Sequence, residues 1–164
     1  MNTGVISSRY AKALLLLVQK TGNGDRVFDQ ARALLRLSSE HSGNPALPAS
    51  LEPELLQLVR LMQSRGRADH LKLTLAHFVR LWCRESGLHL VHLRSAVPSA
   101  ELEKRIASAV EAQFGGHVIM ESSTDPDLLG GFVYDVDDYM MDASVRGQIE
   151  RIRRQFVEKN NRIV

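Results

Sequence analysis

Apolar residues recur at helical spacing through the first half of the chain and change period after Gly87. Ile6, Tyr10, Ala13, Leu14, Leu17 and Val18 follow the i, i+3, i+4, i+7 rule and predict a helix over Val5–Lys20, stopped by Gly22 and Gly24. Asp25 is the expected N-cap of a second helix to about Glu40, with Val27, Phe28, Ala31, Leu34 and Leu35 on one face. His41–Ala49 carries two prolines, a glycine and an asparagine and reads as a loop or at most one turn. Ser50 is the expected cap of a third helix to about Arg65, with Pro53 in its first turn and Leu51, Leu55, Leu58, Val59 and Met62 as its stripe. Gly66 breaks that helix. A fourth is predicted from Ala68 to about Glu85 with Leu71, Leu75, Phe78, Val79 and Trp82 inward, ended by Ser86-Gly87.

Beyond Gly87 strands enter. Leu88 to Ser95 reads as a strand, and Ser99 caps a helix to Phe114 with Leu102, Ile106, Ala109 and Val110 on its face. Gly115-Gly116 ends it, and His117–Ser122 alternates as a second strand. Asp125-Pro126-Asp127 is turn chemistry. Gly131–Val136 and Tyr139–Asp142 predict a hairpin about Asp137-Asp138, followed by a last helix over about Ser144–Lys159 with Val145, Ile149, Ile152 and Phe156 inward. The fold class that follows is α+β. Residues 1–87 make an antiparallel bundle of about four main helices, and residues 88–164 a small α/β domain with strands and two helices.

Composition narrows the function. The 164 residues are 44% hydrophobic and 24% charged, as in an ordinary globular protein. A formal net charge of +2 is too small to make nucleic acid or an anionic membrane the main partner, and 5% aromatics leaves little for base stacking. The longest apolar run, Ala13–Val18, is far short of the roughly 20 residues a membrane span needs. The single cysteine, Cys83, excludes an internal disulfide and reads as a buried thiol.

The residues that carry chemistry elsewhere do not assemble here. His89 and His92 fall on opposite faces of a strand, and His70 and His77 are about 10 Å apart along one helix, too far to share a metal. The aspartates from Asp125 to Asp142 lack the alternating ligand pattern of a calcium loop. Gly130-Gly131 precedes a strand where a phosphate loop would precede a helix, so it marks a bulge or a close backbone approach. No catalytic constellation, cofactor or metal is expected. The strongest charge bias lies in the last helix and its tail, where Arg146, Arg151, Arg153, Arg154, Lys159 and Arg162 outnumber Glu150 and Glu158. It reads as a solvated face, as a docking surface for an acidic partner helix, or as the basis of an alternative function in nucleic-acid binding.

Three stretches resemble a known family. Ser8-Arg9-Tyr10-Ala11-Lys12-Ala13-Leu14 is similar to the first helix of F-type ATP synthase delta subunits, relatives of the mitochondrial oligomycin-sensitivity-conferring protein. Asp127-Leu128-Leu129-Gly130-Gly131-Phe132-Val133, followed by the segment from Asp142-Ala143-Ser144-Val145-Arg146 to Ile152, resembles the family's paired-glycine hairpin and Asp-x-Ser-Val-Arg helix. Gly66-Arg67 is similar to a family turn. The likeness runs through nearly the whole chain in order. Family members usually carry six helices in the N-terminal bundle, whereas the stretch before Ser50 is too short here for two of them.

The resemblance implies a non-catalytic stator subunit that couples proton transport to ATP synthesis, at the cytoplasmic face of the cell inner membrane and without inserting into it. Its bundle would bind the N-terminal helix of an alpha subunit of the F1 head, and its second domain the b-type peripheral stalk; nucleic acid is not an implied partner. By match to the family pattern, the alpha-subunit groove uses Tyr10, Ala13 and Leu17 from the first helix and Leu58 and Leu61 from the third. Tyr10 and Leu58 are equally readable as bundle core. Arg146 and Arg153 are the implied stalk contacts, with Arg146 placed either to meet the stalk or to pair with Asp142. Ser144 is the expected N-cap of the last helix, with Asp142 adding negative charge at its start.

Overall fold

The computed structural model describes residues 3–40 and 51–160, which form two compact units parting between Ser86 and Gly87. The expected loop over 41–49 and the Ser50 cap lie outside the described residues.

The first unit is built from α1 (Thr3–Thr21), α2 (Gly24–Glu40), α3 (Pro53–Ser64) and α4 (Leu71–Ser86). α1 turns Ser7, Ala11, Leu14 and Val18 inward at alternating four- and three-residue spacing, all 2% exposed or less. The small side chains Ser7 and Ala11 let α4 come close, and α4 is the helix α1 packs against most. Phe78, Val79, Leu75 and Cys83 of α4 and Leu55, Leu58, Val59 and Met62 of α3 complete the core with Val27, Phe28, Ala31 and Leu34 of α2. Trp82 and Leu71, expected inward, are only half-buried.

Helix starts differ from those expected. α2 begins at Gly24, and the Val27 amide donates to the Asn23 carbonyl, so Asp25 sits inside the first turn. There its charge still favours the positive helix end. Gly24 is buried because the Trp82 indole occupies the space a Cβ would take. α3 starts at Pro53, and Glu52 before it makes no side-chain cap; the Glu52 amide donates instead to Gln30 Oε1 at 2.8 Å. Leu51 therefore lies outside the helix. Ala68–His70 forms a separate 3₁₀ turn before α4 rather than its first turn. Two contacts show that α1 and α3 run in opposite directions: Asn23 Nδ2, just past the end of α1, donates to Glu54 Oε1 at 3.2 Å, and Tyr10 meets Arg67, just past the end of α3.

The second unit is a four-stranded sheet of order β2-β1-β3-β4, from β1 (Leu88–Ser95), β2 (His117–Thr124), β3 (Phe132–Val136) and β4 (Tyr139–Asp142). β1 and β2 are parallel and joined through α5 (Ala100–Phe114), whereas β3 pairs antiparallel with β1 and β4. Ser99 caps α5 as expected, accepting the Leu102 amide. Val91, Leu93 and Val136 of the sheet meet Ile106 and Val110 of α5 in one core, flanked by Leu102, Val118, Met120, Phe132 and Tyr134. Ala109, placed on that face by spacing, is exposed.

The paired glycines mark a close backbone approach. A Cβ on Gly131, at φ +72°, would strike the Ala143 carbonyl oxygen, and the Val145 amide donates to the Gly130 carbonyl at 3.0 Å. This clasp launches α6 (Val145–Asn160).

The largest departure concerns α6. Val145, Ile149, Ile152 and Phe156 do recur along one stripe, but they are not inward: they are 39%, 53%, 52% and 66% exposed. α6 meets its own unit at the 3₁₀ turn Pro126–Leu128 and at its first residues, while α5 already covers the core face of β1 and β2. Within the described part of the unit the stripe stays open, with Gly130 against Val145 at its start.

Candidate functional site

The groove residues proposed from sequence fall into three environments. Ala13 is exposed, Tyr10 and Leu17 are half-buried, and Leu61 is 44% exposed, whereas Leu58 is a core residue at 6%. Tyr10, Ala13 and Leu17 follow one another along α1 at three- and four-residue spacing, and Leu58 and Leu61 do so along α3. α1 and α3 are antiparallel and in contact. Arg67 closes one end. Its Nη1 donates to the Tyr10 hydroxyl at 2.9 Å, and its guanidinium stands 5.8 Å from the centre of the Tyr10 ring. The hydrogen bond and the guanidinium over the ring together hold the half-buried tyrosine in place. Leu16, 67% exposed, widens the apolar surface of α1. The four consecutive leucines signalled it, since a small bundle cannot bury a helix all round.

At the other end Glu54 is buried, with Oε1 accepting from Asn23 Nδ2. Hydrogen bonds from its own backbone N–H and from the Thr21 side chain hold its carboxyl below the usual range. A carboxylate in the first turn of α3 also complements the helix dipole.

The second surface is the outer stripe of α6, anchored by a polar knot at the helix start. Ser144, 2% exposed, accepts the Gly147 amide at 3.0 Å, which makes it the N-cap, and its carbonyl takes the Gln148 amide. Its hydroxyl donates to Asp142 Oδ1 at 2.6 Å, and its own amide donates to the same oxygen at 2.9 Å. These two bonds, hydroxyl first, depress the Asp142 pKa. Arg146 pairs with Glu150, Nε to Oε1 at 3.4 Å, and not with Asp142, which is instead approached by Arg151 through its backbone oxygen. Arg153 is exposed and has no ion-pair partner among the described residues. Sequence reasoning assigned Arg146 and Arg153 to this surface but missed Ile149, Ile152 and Phe156 between them, because periodicity marks a stripe without saying what covers it.

Among the described residues no three His, Cys, Asp or Glu side chains gather as a metal ion would require, and no helix is long and apolar enough to cross a membrane. Two of the histidines lie beside acids: His89 Nδ1 is 2.8 Å from Asp137 and His92 Nδ1 3.3 Å from Glu121.

Comparison with known proteins places this arrangement. The family model described as ATP synthase delta (OSCP) subunit matches residues 44–156. "ATP synthase subunit delta" of Phocaeicola vulgatus is 32% identical with all of both chains covered, and the protein of that name from Bacteroides fragilis is 27% identical, again with full coverage. The one from Synechococcus sp. (strain RCC307) is 28% identical over 90% of this chain and 93% of its own. A chain of the Toxoplasma gondii mitochondrial ATP synthase hexamer shares the fold, with a TM-score of 0.66 at 19% identity over 92% of this chain and 97% of that one. These matches lend no support to nucleic-acid binding. The chain belongs to the ATP synthase delta (OSCP) subunit family and is therefore a structural, non-catalytic component of the ATP synthase stator.

Proposed function

We propose that this stator subunit is a two-ended connector, residues 1–87 holding the F1 head and residues 88–164 the peripheral stalk. One observation carries the reading: each unit leaves a helix-lined apolar surface uncovered. In the first unit it is the row of Tyr10, Ala13, Leu16, Leu17 and Leu61; in the second it is the α6 stripe. Surfaces of this kind take the apolar face of an amphipathic helix. The occupant of the first is the N-terminal helix of an alpha subunit, and of the second the end of a b-type stalk subunit. Tyr10 is the anchor, amphipathic and pre-oriented by Arg67. Ala13 is the point of closest approach, because a methyl side chain leaves room for a second backbone. Leu58 supports the groove floor from the core rather than lining its mouth. In this reading the subunit works at the cytoplasmic face of the inner membrane, held there by its partners.

The connector carries load without moving protons or nucleotides itself. Torque resistance requires both contacts to hold at once, and two modest affinities in series on one chain gain from effective concentration once the complex is assembled. Affinity capture from detergent-solubilised membranes tests the reading. The tagged full-length chain is expected to bring down alpha and b-type subunits together. Ala13→Trp should lose the head while keeping the stalk, and Ile149→Asp with Phe156→Asp should do the reverse. Loss of both partners from either variant would sink the two-ended assignment.

A further inference from the structure

The turn Arg65-Gly66-Arg67 ends α3 in a fixed shape. The Gly66 amide donates to the Gln63 carbonyl at 3.0 Å and the Arg67 amide to the Met62 carbonyl at 2.8 Å, with Gly66 at φ +63°. This is the paired-bond helix ending that a left-handed glycine allows. A Cβ on Gly66 would meet nothing within 4 Å, so the glycine serves the backbone conformation alone. On its far side the Arg67 carbonyl takes the His70 amide at 3.1 Å. The Arg67 backbone is thus pinned from both directions, and its side chain reaches Tyr10 of α1 from a rigid base.

The guanidinium is under-used where it stands. Arg67 is half-buried, and a guanidinium carries five N–H donors. Among the described residues only the one toward the Tyr10 hydroxyl has an acceptor, and no carboxylate lies within ion-pair distance. Residues 41–50 contain no acid. The Tyr10 hydroxyl accepts from Arg67 and donates to nothing among the described residues. The exposed charges of the helices meeting here are all cations: Arg9, Lys12 and Lys20 on α1, Arg60 on α3 and Arg65 in the turn. The acid of α3, Glu54, is buried near its other end against Asn23, and Asp69, the nearest acid in sequence, is exposed and makes no bridge to Arg67. A guanidinium partly withdrawn from water gains most from a carboxylate that meets it with two N–H bonds.

Resting on the reading of the Tyr10 row as the groove for the head's helix, we propose that the Arg67 guanidinium and the Tyr10 hydroxyl together form a carboxylate subsite at one end of it. The subsite takes one Asp or Glu side chain of the docked alpha-subunit helix. The spare guanidinium N–H groups and the Tyr10 O–H donate to its oxygens. The apolar row supplies the burial, and the subsite fixes the register of the docked helix, since one pinned acceptor site admits one acid. The exposed Lys12 and Lys20 attract acids as mobile point charges without fixing their position. Arg67 differs because both its backbone and its head group are held. A second copy of this chain is a poor occupant, because its α1 would bring Arg9, Lys12 and Lys20 to Arg67 and no acid.

The test is a double-mutant cycle by calorimetric titration of the full-length chain with a synthetic alpha-subunit N-terminal peptide of the same organism. Each Asp or Glu of the peptide is changed in turn to its amide. Arg67→Met keeps an apolar stem and is expected to weaken binding of the parent peptide about tenfold or more, with Arg67→Lys recovering only part. One amide peptide should bind the parent chain about tenfold more weakly and bind Arg67→Met with no further loss. Tyr10→Phe should lose about threefold, and only with peptides that keep that acid. Additive losses at every acid, or full-strength binding of a peptide with all its acids replaced, would overturn the subsite and leave Arg67 as a support for the Tyr10 ring. Titrations are made at a temperature where denaturation curves show each variant folded; should Arg67→Met not fold, the same cycle runs with Arg67→Lys and Tyr10→Phe. The groove reading is judged separately by Ala13→Trp, where undiminished binding would move the helix off α1 whatever Arg67 does. Self-association that Arg67→Met abolishes, without peptide binding, would hand the subsite to a second copy and overturn the proposal.

Discussion

The Ser144 hydroxyl bridges two elements, donating to Asp142 Oδ1 at 2.6 Å at the end of β4 and accepting the Gly147 amide at 3.0 Å in the first turn of α6. One buried oxygen thus ends the sheet and starts the helix. Ser144→Ala removes both bonds, and the missing N-cap alone should cost about 1 kcal/mol. Chemical denaturation should show the lower midpoint, and hydrogen exchange should place the first loss of protection at the amides of the opening turn of α6.

Asp142 makes this knot pH-sensitive. Its folded pKa lies below the ordinary 3.8, chiefly through the Ser144 hydroxyl and then the Ser144 amide. A carboxylate depressed in the folded state adds stability that is fully present above its unfolded pKa and is lost as pH falls through its folded value. Stability of the second unit should therefore drop below about pH 4 by an amount that Asp142→Asn no longer shows. Acid titrations of the two proteins, followed by circular dichroism, compare the slopes directly; identical slopes would clear Asp142 of the effect.

Gly147 is a glycine inside a helix, which ordinarily costs about 1 kcal/mol relative to alanine. Here a Cβ would run into the Asp142 carboxylate. Gly147→Ala should therefore destabilise the protein despite its better helix propensity, and Gly147→Ala combined with Asp142→Ala should recover part of the loss. A stability gain from Gly147→Ala alone would show that the knot is loose.

Much of the fold was legible from periodicity because each element carries one dominant face. The 19-residue α1, the Ser99 cap of α5 and the β3–β4 hairpin each combine a clear stripe or alternation with a strong boundary residue. Boundaries blurred where the tie is long-range. Glu52 is bonded by Gln30, 22 positions away, and Gly24 is required by Trp82, 58 positions away; neither constraint leaves a local trace. The surfaces were harder still. Leu58 and Leu61 share one stripe, yet one is core and the other exposed, since three residues along a helix is enough to turn from the bundle interior to its rim. α6 shows the limit most clearly: an amphipathic stripe has the same pattern whether its cover comes from its own chain or from another.

The contact between Gly24 and Trp82 supplies a further prediction. The indole lies where the Cβ of any other residue would stand. Gly24→Ala should cost roughly 1–3 kcal/mol by overpacking and should shift the fluorescence of the only tryptophan. Trp82→Leu in the same chain should relieve part of that penalty, giving a coupling measurable in a double-mutant cycle. Additive losses would mean the two residues do not meet in solution.

The groove is best interrogated by pairing Ala13 with Leu58, which stand on neighbouring helices in opposite environments. Ala13 is exposed, so an indole placed there meets no packed neighbours and should leave the denaturation midpoint almost unchanged. It would, however, fill the space nearest the α1 backbone, where an incoming helix must approach. Ala13→Trp should therefore abolish binding of a synthetic alpha-subunit N-terminal peptide without unfolding the bundle. Leu58 is buried among the α3 core residues, so Leu58→Ala should cost about 2–5 kcal/mol of stability from lost burial and the cavity left behind. Its effect on peptide binding should follow only from that loosening, and vanish at low temperature where the bundle remains folded. Tyr10→Ala belongs to the binding class: it removes an aromatic anchor and the acceptor for Arg67, and should cost about 2 kcal/mol of peptide affinity. Calorimetric titration of the three variants beside their denaturation curves separates the roles. If Ala13→Trp binds as tightly as the parent, the partner helix does not lie across α1, and the open leucines Leu16 and Leu61 belong to a different contact.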